Sequence, residues 1–97
     1  MATATLTSGA PSTDFTTTAG ALYSIAASGG FGGGIVGLSY SLTATPTVFQ
    51  AFQAGDFNAG FAMEVRAPGT KLRAAVANAD RSGAGTTSIT VDLTSAA

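Results

Sequence analysis

Apolar and polar residues alternate most regularly near the end of the chain, where Ile89, Val91 and Leu93 are interleaved with Ser88, Thr90 and Asp92. A repeat of two sends successive side chains to opposite faces of an extended strand, one face buried and the other wet. Leu72, Ala74 and Val76 alternate in the same way with Lys71, Arg73 and Ala75, and Phe61, Met63 and Val65 with Ala62, Glu64 and Arg66. Further strands are expected over Ile35–Ser41 and Thr47–Gln53, and over Leu22–Ala27, where Leu22 or Tyr23 competes with Ile25 for the core face. Thr3–Thr7 is a weaker edge candidate. The most helix-like stretch, Leu72-Arg-Ala-Ala-Val-Ala, is too short for a stable helix and continues a strand pattern.

Turn residues separate these segments. Ala67-Pro68-Gly69 combines a fixed φ with a residue that tolerates positive φ, so Gly60–Arg66 and Thr70–Asn78 are expected to pair as a hairpin. Asp80-Arg-Ser-Gly-Ala-Gly is expected to close a second hairpin between Lys71–Asn78 and Thr87–Leu93. Six to seven short strands at roughly ten-residue spacing predict an all-β fold, a compact antiparallel β-sandwich, Ig-like or jelly-roll-like. Residues 1–18 read as an N-terminal arm or edge strand, residues 19–97 as the sandwich domain.

Composition narrows the function. Ala, Thr, Gly and Ser fill 57 of 97 positions, so the core is thin for a chain near the lower size limit of independent folding. Such a chain gains stability from assembly. There is no Cys and no His, and the five acids are scattered singly. A disulfide scaffold is therefore excluded, and no cofactor or metal and no enzymatic activity is expected. A carboxylate pair is conceivable, for example Asp56 with Glu64, but nothing in the sequence raises it above chance. Arg66, Lys71, Arg73 and Arg81 form too loose a group for a nucleic-acid footprint. No stretch approaches a membrane span, and Met1-Ala-Thr-Ala-Thr-Leu has the features of no secretory signal. These readings predict a contact protein made in a cytoplasm, with protein partners and self-association.

Four segments supply candidate contact residues. Ser28-Gly-Gly-Phe-Gly-Gly-Gly lacks the helix, the Lys and the hydroxyl of a phosphate loop. It is either a turn with Phe31 tucked against the core, or a loop presenting Phe31 to a partner. The row Phe49, Phe52, Phe57 and Phe61 supplies core, but alternation cannot bury both Phe49 and Phe52 on one face; either one sits at a bulge or one is exposed, and a subunit or partner contact is expected. Arg66, Lys71 and Arg73 are either a solvated face with cross-strand pairing to Glu64 or polar contacts to an acidic neighbour. Phe15 is the single aromatic in the Thr-rich residues 1–18, which either fray or add as a strand to a neighbouring sheet. The candidate interface set is thus Phe15, Phe31, Phe49, Phe52, Arg66 and Arg73.

The order of features also carries a resemblance. A Gly-rich turn leads into Ile35-Val-Gly-Leu-Ser-Tyr-Ser; Phe61-Ala-Met-Glu-Val-Arg-Ala-Pro-Gly-Thr-Lys-Leu-Arg follows; Ser82-Gly and Ser88-Ile-Thr-Val-Asp-Leu close it. Over residues 20–94 this resembles the small β-sandwich virion proteins of tailed bacteriophages, of the capsid decoration or head-tail appendage type. Val36-Gly-Leu-Ser-Tyr-Ser departs in register from the usual pattern, and the Trp usual in the next segment is missing. The resemblance implies a structural protein located in the virion, bound to the major capsid protein or another virion protein and stabilising the assembled head. The alternative is a tail, fibre or adhesin-like module recognising a host surface ligand, for which Tyr23 and Tyr40 beside Gln50, Gln53 and Asn58 are the material.

Overall fold

The computed structural model describes residues 2–41, 50–80, 83 and 85–95, those of 50–56 through their backbone. Among them are eight strands and no helix: β1 (Ala2–Leu6), β2 (Ser12–Thr16), β3 (Leu22–Gly30), β4 (Ile35–Ser41), β5 (Gln50–Phe57), β6 (Phe61–Arg66), β7 (Lys71–Ala77) and β8 (Ser88–Ser95). They form two four-stranded sheets, ordered β1-β8-β3-β6 and β2-β7-β4-β5. The expected antiparallel sandwich is therefore present. The helix-like Leu72–Ala77 stretch is strand β7, because alternate burial of Leu72, Ala74 and Val76 outweighs the helix propensity of Ala.

The pairing follows one rule. β1 pairs with β8, β2 with β7, β3 with β6 and β4 with β5, all antiparallel. The chain is thus one long double ribbon turning between β4 and β5. It is rolled up so that β3 also meets β8 and β4 also meets β7. This is the jelly-roll order, which of the two arrangements expected is the one adopted.

Both expected hairpins are overturned by this topology. β6 and β7 lie in different sheets, as do β7 and β8. The Ala67-Pro68-Gly69 turn carries the chain across the core instead of back alongside itself. Ala67 is buried, accepts from Gly20 N–H and donates to Ala21 O, while Thr70 N–H donates to Ser41 O in the other sheet. The backbone groups that a hairpin would have paired locally are satisfied by segments far away in the chain.

Residues 1–18 supply two strands, at the edges of opposite sheets. Leu6 and Phe15 point inward, at 0% and 6% exposure, and so tie this stretch into the sandwich. β2 is the strand that periodicity did not reveal: Ser12-Thr-Asp-Phe-Thr has one apolar residue, too few to show a repeat. Between the sheets lie Leu6, Ile25, Ala27, Val65, Ile89, Val91 and Leu93 of the first and Phe15, Val36, Leu38, Leu72, Ala74 and Val76 of the second. Phe57 and Phe61 stack at 3.9 Å between centroids and close the core's border.

Candidate functional site

The outer face of the second sheet changes character along its strands. In register across β2, β7 and β4, Asp14 faces Arg73, which faces Ser39; the next outward row is Ser12, Ala75 and Gly37; beyond it Ile35 faces Ala77. One end is ionic and the other apolar and nearly bare of side chain. Gly37 leaves a trough between its neighbours, and an open groove of ≈ 370 Å³ runs over Ile35, Gly37, Ser39, Ala75 and Ala77. The signal for this face was present in Ile35-Val36. Two adjacent apolar residues in a strand cannot both point inward; Val36 is fully buried, so Ile35 is outside.

The ionic end is built by two strands distant in sequence. Arg73 Nε donates to Asp14 Oδ1 at 2.7 Å and its terminal nitrogen to Oδ2 at 3.1 Å, a two-pronged fork. The Arg73 hydrogen bond holds the Asp14 carboxyl below its ordinary range; slight burial opposes this, and the charges of Arg73 and Lys71 add to the lowering. Lys71 Nζ donates to Thr16 Oγ1 at 3.0 Å. The expected partner of these cations, Glu64, lies on the other sheet, opposite Ser24. The cross-strand pairing to Glu64 is thereby corrected to a pairing with Asp14.

The candidate contact residues separate. Arg73 stands at the rim of the groove through its register neighbour Ser39. Arg66 is exposed on the first sheet and donates to Gly20 O at 2.6 Å, bracing the β2–β3 connection. Phe15 and Phe31 are core residues, at 6% and 8% exposure, and present almost no surface to a partner. Phe49 lies outside the described residues, and the Phe52 side chain does as well.

Phe31 is drawn inward by the loop that carries it. Thr87, fully buried, donates its hydroxyl to Phe31 O at 2.9 Å. Gly32 sits beside it at φ +57°, where a Cβ would run into that same hydroxyl. The Gly-rich segment is therefore a close-packed turn between β3 and β4, with Phe31 tucked against the core.

The remaining chemistry is dispersed. Asp56 and Glu64 fall on β5 and β6, in different sheets. Tyr23 is half-buried in the first sheet with its hydroxyl accepting Thr18 N–H at 2.8 Å, whereas Tyr40 lies opposite Gln50 in the second. Among the described residues no three acids come together as a metal-holding group, and no helix is long and apolar enough to cross a membrane. Comparison with family models, with curated proteins and with solved structures finds no match to this chain.

Proposed function

We propose that this protein is a virion structural protein, a capsid decoration or cement protein that binds the major capsid protein or a neighbouring virion protein through the outer face of its second sheet. The observation that carries this reading is that face. Ile35, with the small residues around Gly37, offers apolar surface to a partner, and the Asp14–Arg73 fork at one end supplies orientation. Desolvating such a surface favours association, and a polar rim sets its register. The jelly-roll order agrees with this reading, since viral capsid proteins use it, although lectins do too. A protein that binds only the assembled shell stabilises it by linkage, and many symmetry-related copies convert modest contacts into avidity.

A second reading, a tail or fibre module that binds a host surface ligand, draws on the Tyr40–Gln50 juxtaposition. Copy number separates the two. Quantitative mass spectrometry on purified particles containing this chain is expected to find on the order of hundreds of copies each, as symmetry-related decoration requires. A handful of copies moves the chain to the second reading, and none removes both. In the first case Ile35→Lys is expected to release the protein from particles while leaving its melting temperature unchanged.

A further inference from the structure

A β-sandwich of two open sheets has four edge strands, and an edge is a row of unpaired N–H and C=O groups that invites another strand. Among the described residues the edges are β1 and β6 of the first sheet and β2 and β5 of the second. Three of them carry features that discourage addition. β2 holds the charged Asp14–Arg73 fork and is preceded by Pro11. β6 carries Glu64 and Arg66. β5 is distorted: between the pairs Gly37–Asp56 and Ser39–Ala51 it advances five positions while β4 advances two.

β1 carries none of these. Its sequence is Ala-Thr-Ala-Thr-Leu, with no charge, Pro or Gly, and it runs in unbroken register with β8 from Ala2–Leu93 to Leu6–Ile89. Among the described residues no strand lies on its far side. Ala4 and Leu6 turn toward the core, whereas Thr3 and Thr5 are exposed on the outer face.

We infer that β1 is the docking edge for a second copy of this chain, paired antiparallel about a two-fold axis at Ala4. The sequence is self-complementary in that register. Ala4 then faces the partner copy's Ala4, Ala2 its Leu6, and Thr3 its Thr5. Directly opposed residues in an antiparallel pair share a face, so the apolar row continues into an apolar row and the hydroxyl row into a hydroxyl row. A slip of one residue would turn the partner's core side to solvent, and a slip of two would shorten the overlap. Pairing about Ala4 uses all five residues and joins two four-stranded sheets into one of eight strands. A two-fold contact of this kind closes on itself and gives a dimer. The inference is independent of the virion reading, because a chain absent from particles can still dimerise through β1.

The test is sedimentation of the full chain and two double variants. Wild type is expected to show a concentration-dependent dimer. T3K/T5K sets Lys against Lys at both opposed pairs and is expected to weaken association at least about tenfold. T3K/T5E sets Lys against Glu at the same pairs and is expected to dimerise again. Both variants change exposed outer-face residues and remove the Thr3 hydroxyl's bond to Asp92 Oδ1, so thermal melts check that each remains folded. A wild type that stays monomeric at every concentration reached overturns the inference. So does a folded T3K/T5K that associates like wild type, or a folded T3K/T5E that fails to recover.

Discussion

Asp80 and Thr87 hold each other by two hydrogen bonds that run in opposite directions. Thr87 N–H donates to Asp80 Oδ1 at 2.6 Å, and Asp80 N–H donates to Thr87 Oγ1 at 2.8 Å. The same hydroxyl then donates to Phe31 O, so one buried side chain closes the β7–β8 connection and pins the Gly-rich turn beneath it. Thr87→Val keeps the shape and removes both roles of the hydroxyl. The expected cost is about 1–3 kcal/mol for the polar groups left unpaired, read as a lowered denaturation midpoint. Thr87→Ser retains the hydroxyl and loses one methyl, and is expected to cost less, about 0.8 kcal/mol.

The Asp80 carboxyl is held below its ordinary value, near 3.8, chiefly by the Thr87 backbone N–H and then by a hydrogen bond from the Ser8 side chain. A carboxyl with a lowered folded pKa binds its proton more readily in the unfolded chain. Its stabilisation is complete above the ordinary value and is lost as pH falls through the folded one. Asp14 acts in the same direction through Arg73. Thermal melts from neutral pH downward are therefore expected to be flat until the ordinary carboxylate range and to fall below it. Asp80→Asn is expected to shallow that fall; an unchanged acid limb would show that the Asp80 contacts are not formed in solution.

Gly32→Ala tests the packing of the turn. The residue adopts φ +57°, and the added methyl meets Thr87 Oγ1 as well as Gly85 O. Left-handed backbone alone costs a residue with a Cβ about 1–2 kcal/mol, before any clash. The substitution is expected to exceed that cost in denaturant titration. Gly20, also at positive φ but with open space around the Cβ position, is the control: Gly20→Ala carries the backbone term without the clash.

The fork between Asp14 and Arg73 joins side chains still more than a third exposed, 36% and 37%. Exposed pairs contribute little, because water screens them and the side chains lose entropy. A double-mutant cycle with Asp14→Asn and Arg73→Gln is expected to give a coupling of about 0.2–1 kcal/mol that shrinks as salt is added. A larger, salt-independent coupling would mean that the pair is covered in solution, as an interface would cover it.

Much of the candidate surface was hidden from the sequence for specific reasons. The sequence singles out Arg73, but its partner Asp14 lies 59 positions away on a strand that shows no periodicity. Glu64 is the cross-strand partner that a β6–β7 hairpin would supply, and it sits on the other sheet. Ala75 and Ala77 line the groove but are too small to declare a face by hydropathy, since Ala74 beside them is fully buried. Phe15 and Phe31 are isolated aromatics among Thr and Gly, and their local pattern leaves core and partner equally open. In a core otherwise built from Leu, Val, Ile and Ala, the fold has taken both inside.

What the sequence determined was local: that the segments other than β2 are extended, and which side chains of β6, β7 and β8 face inward, because a period of two is written in adjacent residues and survives any pairing. Only the tertiary structure decided which strand lies beside which. A short turn can return a chain along the same sheet or carry it across the core to the other, and the alternation of its flanking strands is the same in both cases. The choice was made by the sum of distant contacts. The Ala67–Thr70 turn bonds to Gly20, Ala21, Thr17 and Ser41, and only a rolled ribbon brings those four together. The exposed edge of β1 and the groove over Gly37 follow from that roll.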